Sequence, residues 1–303
     1  FKGLNLYQNY VYHKLISEVE KVEGNSIEFH VDLTHGINYM PTILSNVIMT
    51  IANSIGKQVK LSFYNSDPIA GKFKETPTLN INEVSRYVIN PKDGMLLITN
   101  QFLSIEPNYY RKVIRDKVDR VRRLARAFQA GLFLLINYYR KEIDEVKELV
   151  EGKFKGIENM DVIVEGCCKL KYDYDLHYSA YILHSMLTIL SRVSLGKEEL
   201  EAGELIELAK KYANELSEVL LTNEIDDIRS KVSNELADYT KLDEVFKKAE
   251  GKRNAEQQAQ QDTPNKRNLI AHGGLERNIT LVKYSGGKLY FKYLDPEKAL
   301  NQL

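Results

Sequence analysis

The chain has no net charge: 42 basic side chains are matched by 42 acidic ones. A polyanion-binding surface spread over the whole molecule is therefore excluded, and any anionic ligand must be met by a local patch. Cysteine is nearly absent. The only two, Cys167 and Cys168, are adjacent and cannot close an ordinary intrachain disulfide. A reducing compartment follows, and the cytoplasm is the expected location. No Cys/His cluster has zinc-site spacing. No apolar run is long enough to span a bilayer; the best, Gly131 to Tyr139, falls well short. Neither a Walker A motif nor G-x-G-x-x-G occurs. The first residue is Phe1 and not Met, so targeting segments are not readable and the natural N-terminus is expected to be missing.

What is present is a globular composition. Of 303 residues, 43% are hydrophobic and 28% charged, enough for a sizeable core and a length that suggests two domains. Lys, Glu and Ile are abundant and Gln is concentrated in one loop, a mild thermophile signature.

The first ninety-odd residues alternate between element types. Tyr7 to Val22 and Pro41 to Ile55 have helical apolar spacing. Ile27 to Leu33 and Lys60 to Tyr64 alternate like strands, and Val84 to Ile89 reads as a strand or short helix. Strand, helix, strand predicts a βαβ unit and a parallel sheet. From Pro107 the pattern turns helical. Ile114, Val118, Val121, Ala125, Phe128, Leu132 and Leu135 form one stripe, which predicts a single long helix. Further helices are expected over Tyr174 to Val193, Lys197 to Leu221 and Glu224 to Ala249. Glu256 to Asp262 reads as a polar loop. Thr263-Pro264 predicts the cap and first residue of another helix, stopped at Gly273-Gly274. Ile279 to Val282 and Lys288 to Tyr293, joined through Ser285-Gly286-Gly287, predict a hairpin.

Two places carry chemistry. At the first, the strand ending in Asp32-Leu33 runs into Thr34-His35-Gly36-Ile37-Asn38, and a helix begins near Pro41. In an open α/β sheet, ligands bind beyond the carboxyl ends of strands, where a helix N-terminus offers unpaired N–H groups to an anion. Thr34, His35 and Asn38 can bond phosphate, ribose or base edges, and Gly36 admits the backbone closely. The plainer reading is a capped turn with no ligand.

At the second place stand Arg267, Asn268 and His272. Histidine transfers protons near neutral pH, and arginine grips phosphate with two parallel N–H donors. Together they can cut RNA without a metal: the 2′-hydroxyl attacks the adjacent phosphate, His272 moves protons, and Arg267 stabilises phosphoryl charge. Asn268 orients His272 or the phosphate. Five residues apart on a regular helix, Arg267 and His272 point about 140° from one another, so a symmetric dimer is expected to complete the cleft. The plainer reading is a surface arginine and a helix-capping histidine.

The basic stretch from Arg111 to Arg126 reads either as a solvated helix flank or as a phosphate track. His177 and His184, on an aromatic helix, read as packing groups.

The string from Asp32 to Pro41, followed by a helical region ending in Arg267-Asn268-x3-His272-Gly273-Gly274, resembles the CRISPR-associated CARF–HEPN ribonucleases of type III systems. The first motif is similar to the signature of the CARF sensor, a Rossmann-like domain; the second is similar to the R-x4-6-H signature of the HEPN domain. The resemblance implies an α/β Rossmann-like sensor domain over residues 1–100, incomplete at its N-terminus because the family's opening strand is not visible. It also implies an all-α linker and HEPN domain over 101–303, which here carries the small C-terminal hairpin. A cyclic oligoadenylate, usually cyclic tetra-adenylate, is expected to bind across a dimer axis as activator. Thr34, His35, Gly36 and Asn38 contact or shape that site, with Asp32 supporting the turn, while Arg267, Asn268 and His272 cut single-stranded RNA with no catalytic cofactor. The expected assembly is a homodimer or higher oligomer, with no membrane association. The alternatives are a sensing dimer that signals to a partner without cutting RNA, or one that cleaves its own cyclic ligand.

Overall fold

A computed structural model describes residues 2–34, 39–67, 80–165, 169–232, 236–249 and 265–303. Helix α1 (Lys2–Val19) leads to strand β1 (Ser26–Asp32), helix α2 (Met40–Ser54) and strand β2 (Gln58–Ser66). Strand β3 (Ile81–Ile89) and helix α3 (Pro91–Ser104) follow. β1 and β2 are parallel, with Asp32 opposite Tyr64, so the βαβ expectation holds for this pair. β3, the segment that reads as strand or helix, is a strand antiparallel to β2. The sheet order is β1-β2-β3.

Local pattern explains these elements. Ile43, Val47, Ile48 and Ile51 make one buried face of α2, and Val59, Leu61 and Phe63 alternate inward along β2. Asn90 caps α3 by accepting a hydrogen bond from the Lys92 backbone N–H, and Pro91 follows at the first helical position.

The helical part begins with α4 (Pro107–Ile114), a short 3-10 turn (Arg115–Lys117), α5 (Val118–Gln129), α6 (Phe133–Tyr138) and α7 (Arg140–Glu158). The apolar stripe from Ile114 to Leu135 is buried as expected, but it does not lie on one helix. Arg115, at φ 52°, breaks it first, and Gly131, at φ 74°, breaks it again. A methyl group on Gly131 would lie 2.7 Å from the Ser217 Cβ, so only glycine lets the chain turn there.

Strands β4 (Val162–Glu165) and β5 (Lys169–Tyr172) form an antiparallel pair, and α8 (Ser179–Val193) starts later than the Tyr174 expected for it. The two long helices expected between Lys197 and Ala249 are five elements. These are β6 (Leu200–Glu201), α9 (Ala202–Tyr212), α10 (Glu215–Lys231), β7 (Leu236–Lys241) and α11 (Leu242–Ala249). Asn214 causes the main break: its side chain accepts from the Ser217 backbone N–H and caps a new helix. Helix α12 (Lys266–Ala271), strands β8 (Thr280–Ser285) and β9 (Lys288–Tyr293), and helix α13 (Pro296–Asn301) end the chain. The expected hairpin is present and is flanked by two further strands, in the order β6-β9-β8-β7. Cys167, Cys168, Glu256 to Asp262, and Thr263-Pro264 lie outside the described residues.

The chain divides into two compact units, Phe1–Ile105 with Leu149–Ser185, and Glu106–Glu148 with Met186–Leu303. The first unit holds a buried polar chain. Ser185 Oγ donates to Tyr12 Oη at 2.9 Å, Tyr12 Oη lies 3.0 Å from His184 Nδ1, and His184 Nε2 lies 3.2 Å from Glu151 Oε1. With its own oxygen accepting from Ser185, the Tyr12 hydroxyl donates to Nδ1, which leaves the proton on His184 Nε2, facing Glu151. His184 is thus a core group, as its aromatic neighbours suggest. No helix of the described residues is long and apolar enough to cross a membrane.

Candidate functional site

In the first unit, the carboxyl ends of β1 and β2 lie side by side. Asp32 Oδ1 accepts from the Thr34 backbone N–H at 2.8 Å, a side-chain turn that bends the chain as it leaves β1. Thr34 Oγ1 accepts from the Ser66 backbone N–H at 2.9 Å and ties the end of β1 to the end of β2. Asp67, one residue beyond β2, accepts from the side-chain amides of Asn80 at 2.8 Å and Asn82 at 2.7 Å. Ser66, Asp67, Asn80 and Asn82 thus join a polar rim that sequence reading missed. The signal for Ser66 and Asp67 was their position just past a strand end, the same rule that singled out Thr34. His30 stacks on Tyr64 and shares a hydrogen bond of 3.0 Å with its hydroxyl. His35, Gly36 and Asn38 lie outside the described residues.

In the second unit, the segment from Asn265 to Glu276 is shaped by short-range chemistry. Asn265 caps α12 by accepting from the Arg267 backbone N–H at 2.8 Å. It takes the capping role expected of Thr263. Leu269 is fully buried and anchors the helix. Gly273 and Gly274, at φ 56° and 89°, end it, and the Gly274 N–H returns to the Leu269 carbonyl at 2.8 Å. A methyl on Gly273 would meet the Leu221 Cα at 2.7 Å, so this glycine seats the turn directly on α10. Behind the turn, the Tyr293 hydroxyl donates to the Gly274 carbonyl at 2.7 Å in a buried contact.

That seat delivers a partner to His272. One turn beyond Leu221 on α10 is Glu224, and His272 Nδ1 donates to Glu224 Oε2 at 2.7 Å. Glu224 is 9% exposed and its Oε1 has no hydrogen-bond partner among the described residues. The carboxylate holds the His272 pKa above 6.5, outweighing the opposite effect of burial. With Nδ1 engaged, Nε2 is the nitrogen left for proton transfer. Glu276, in the turn after the glycines, is pushed above its ordinary range by burial and is held by Asn278 through backbone and side-chain N–H groups, both at 3.0 Å. Arg277 lies over the Phe246 ring, 3.6 Å from its centroid.

Arg267 is exposed and Asn268 half-buried, one turn before His272. No hydrogen bond joins Arg267 to His272 among the described residues. Glu224 was missed because 48 residues separate it from His272. Its signal was a carboxylate standing among Leu221, Ile225 and Ile228 on the buried face of a helix.

The arginines of the basic stretch are mostly engaged within the unit. Arg111 pairs with Asp119 at 3.4 Å, Arg120 with Glu142 at 2.8 Å and Glu297 at 3.1 Å, and Arg126 donates to the Leu303 carbonyl at 2.8 Å. This arrangement favours the structural reading of that stretch over a phosphate track.

Comparison with known proteins adds three findings. Residues 214–297 match the family model for the HEPN domain of the CRISPR system endoribonuclease Csx1. Residues 1–68 match the model for the CARF domain of the same endoribonuclease. The chain is 38% identical over 94 residues to the CRISPR system endoribonuclease Csx1 of Methanocaldococcus jannaschii, a match covering 30% of this chain and 20% of that protein.

Proposed function

Because the chain belongs to the CRISPR-associated CARF–HEPN ribonuclease family, we propose that it is an endoribonuclease that cuts single-stranded RNA without a metal, under control of a cyclic oligoadenylate. The chain spans about a fifth of the length of the curated relative it matches, so activity, substrate and activator are assigned from the sites themselves.

The observation that carries the catalytic reading is the bond between His272 Nδ1 and Glu224. A buried carboxylate behind an imidazole fixes its orientation and tautomer and raises its basicity. In the reaction we draw, the 2′-hydroxyl of one nucleotide gives its proton to solvent water as its oxygen attacks the adjacent phosphorus and closes a 2′,3′-cyclic phosphate. The bond from phosphorus to the 5′-oxygen of the next nucleotide breaks, and that oxygen takes up a proton. His272 Nε2, charged over more of the neutral range because of Glu224, supplies the proton to the leaving oxygen. Arg267 stabilises the phosphoryl oxygens as charge builds, and Asn268 holds the phosphate or the imidazole. The exposure of Arg267, with no hydrogen bond to His272 among the described residues, supports a cleft shared between two copies of the chain.

The CARF domain is a ligand-sensing domain. We assign it a Rossmann-like core over residues 1–100, with the helical and HEPN region over 101–303. The activator, probed as cyclic tetra-adenylate, is assigned to the carboxyl ends of β1 and β2. Thr34, His35, Gly36 and Asn38 are the residues assigned to it by their motif, and Asp32 holds the turn through its bond to the Thr34 N–H. The parallel β1–β2 pair and the turn joining Asp32, Thr34 and Ser66 support this placement. The assigned compartment is the cytoplasm and the assigned assembly a homodimer.

The test is cleavage of labelled single-stranded RNA in EDTA, with and without cyclic tetra-adenylate, beside Arg267→Ala and His272→Ala. Ligand-dependent cutting that falls on the order of a hundredfold in each variant is the expected result. RNA left intact by the parent chain, or cut equally by His272→Ala, overturns the nuclease reading. Following the ligand in the same tubes reads whether the sensor degrades it.

A further inference from the structure

The outward face of the four-stranded sheet does not take part in the site described above. Along β9 the side chains alternate strictly: Leu289, Phe291 and Tyr293 are buried, while Lys288, Tyr290 and Lys292 point the other way. Register places Lys283 opposite Tyr290 and Leu281 opposite Lys292. On the neighbouring strand, Lys241 stands opposite Leu281. Tyr239, also of β7, reaches the same face, because Lys283 and Lys292 lie over its ring at 5.0 Å and 4.0 Å from the centroid. Lys283 also lies 5.2 Å from the Tyr290 centroid. Lysines and tyrosines are therefore interleaved across three strands.

The charge on this face is not cancelled. Glu201 pairs with Lys288 at 2.9 Å, and Glu199 approaches Lys283 at 4.0 Å while accepting from the Tyr239 hydroxyl. Lys241 and Lys292 have no carboxylate partner among the described residues. These two occupy the row nearest the His272 turn. Tyr293, next to Lys292, donates to Gly274, and the Asp243 N–H, just past Lys241, bonds the Arg277 carbonyl at 3.2 Å. Cations held up by aromatic rings at one-strand intervals match a polymer with a phosphate and a base in every repeat. A backbone track with stacking surfaces is the general form of single-strand recognition.

We propose that this face, centred on Lys283, Lys292, Tyr239 and Tyr290, binds the single-stranded RNA strand and leads it to the His272 turn. Phosphates take the lysine heads, and bases displace them from the tyrosine rings. The proposal rests on the ribonuclease reading for the identity of the polymer, and the test separates the two.

The probe is a fluorescein-labelled single-stranded RNA homopolymer, titrated by anisotropy at several salt concentrations. The protein carries His272→Ala so that binding is read apart from cutting. Combining Lys283→Ala with Lys292→Ala is expected to weaken binding about tenfold or more and to flatten the salt dependence by about 0.7 per lost phosphate contact. Tyr290→Ala is expected to weaken it about fivefold or more, with a small change in salt slope. Circular dichroism melting reads whether each variant folds like the parent. Absence of binding by the parent, or parental affinity and salt slope in both folded variants, overturns the proposal. If the variants lose affinity although the wild-type chain cuts no RNA, the platform stands and the nuclease reading falls. If the wild type cuts but the variants bind like the parent, the reverse holds.

Discussion

Glu224 Oε2 lies 2.7 Å from His272 Nδ1, and the contact exists because Gly273 has no side chain to keep α10 away. The pair changes what Arg267 and His272 amount to. A histidine five residues after an arginine is common; a histidine backed by a carboxylate that is 9% exposed is one whose protonated form the fold favours.

Glu224→Gln keeps the shape and removes the charge. The imidazolium loses its main support, so the His272 pKa falls, because burial and Arg277 then outweigh what still raises it. The alkaline limb of the cleavage profile moves to lower pH, and the rate at neutral pH drops about tenfold or more. Following the His272 ring resonances by NMR against pH, beside the rate profile, checks both parts.

The same pair predicts a pH dependence of stability. The folded-state pKa of His272 is raised above its unfolded value, so its contribution is fully present below about 6.5 and is lost as pH rises through the folded pKa. The His272 side chain is 30% exposed, and solvent screening keeps the contribution small. Urea midpoints of the parent and His272→Asn, measured from pH 5.5 to 9, should differ at the acid end and converge at the alkaline end. A constant gap counts against the assignment.

Gly273→Ala acts on the scaffold. It places a side chain at φ 56° and a methyl 2.7 Å from the Leu221 Cα. Backbone strain of this kind costs about 1–3 kcal/mol, and displacement of Leu221 also moves Glu224. The melting temperature should fall and cleavage should fall with it. Arg267→Ala is the contrast, because that side chain is exposed: stability should stay within about 0.5 kcal/mol while activity is lost.

Tyr12→Phe tests the buried chain of the first unit. It removes the hydroxyl that lies 3.0 Å from His184 Nδ1 and that accepts from Ser185 at 2.9 Å. Leaving such buried groups without this partner costs about 1–3 kcal/mol. Denaturant unfolding reads the loss; an unchanged midpoint would mean that the hydroxyl is not part of the core network.

Features with local causes were legible in the sequence. The alternation in β1 and β2, the four-and-three spacing in α2 and the turn at Gly286-Gly287 each depend on neighbours within a few residues. Features set by distant packing were not. The stripe from Ile114 to Leu135 signals burial correctly, yet burial does not require one helix, and the break at Gly131 depends on Ser217. Strand β7 carries no clear alternation and exists through pairing with β8. At the candidate site, Arg267, Asn268 and His272 stood out by type and spacing, whereas Glu224 is brought in by a helix packed on from far along the chain. Asp32 and Thr34 were legible as turn residues, but the tie from Thr34 to Ser66 needed the parallel pairing of β1 and β2.

Tyr293 and Lys292 are adjacent in β9 and answer to different demands. One braces the turn behind His272 and the other faces outward. Substitution along one side of this ribbon is constrained by the turn it braces, while the other side can change without disturbing that turn. The alternation of one strand thus lets the outward face be altered, residue by alternate residue, without touching the contact that braces the turn.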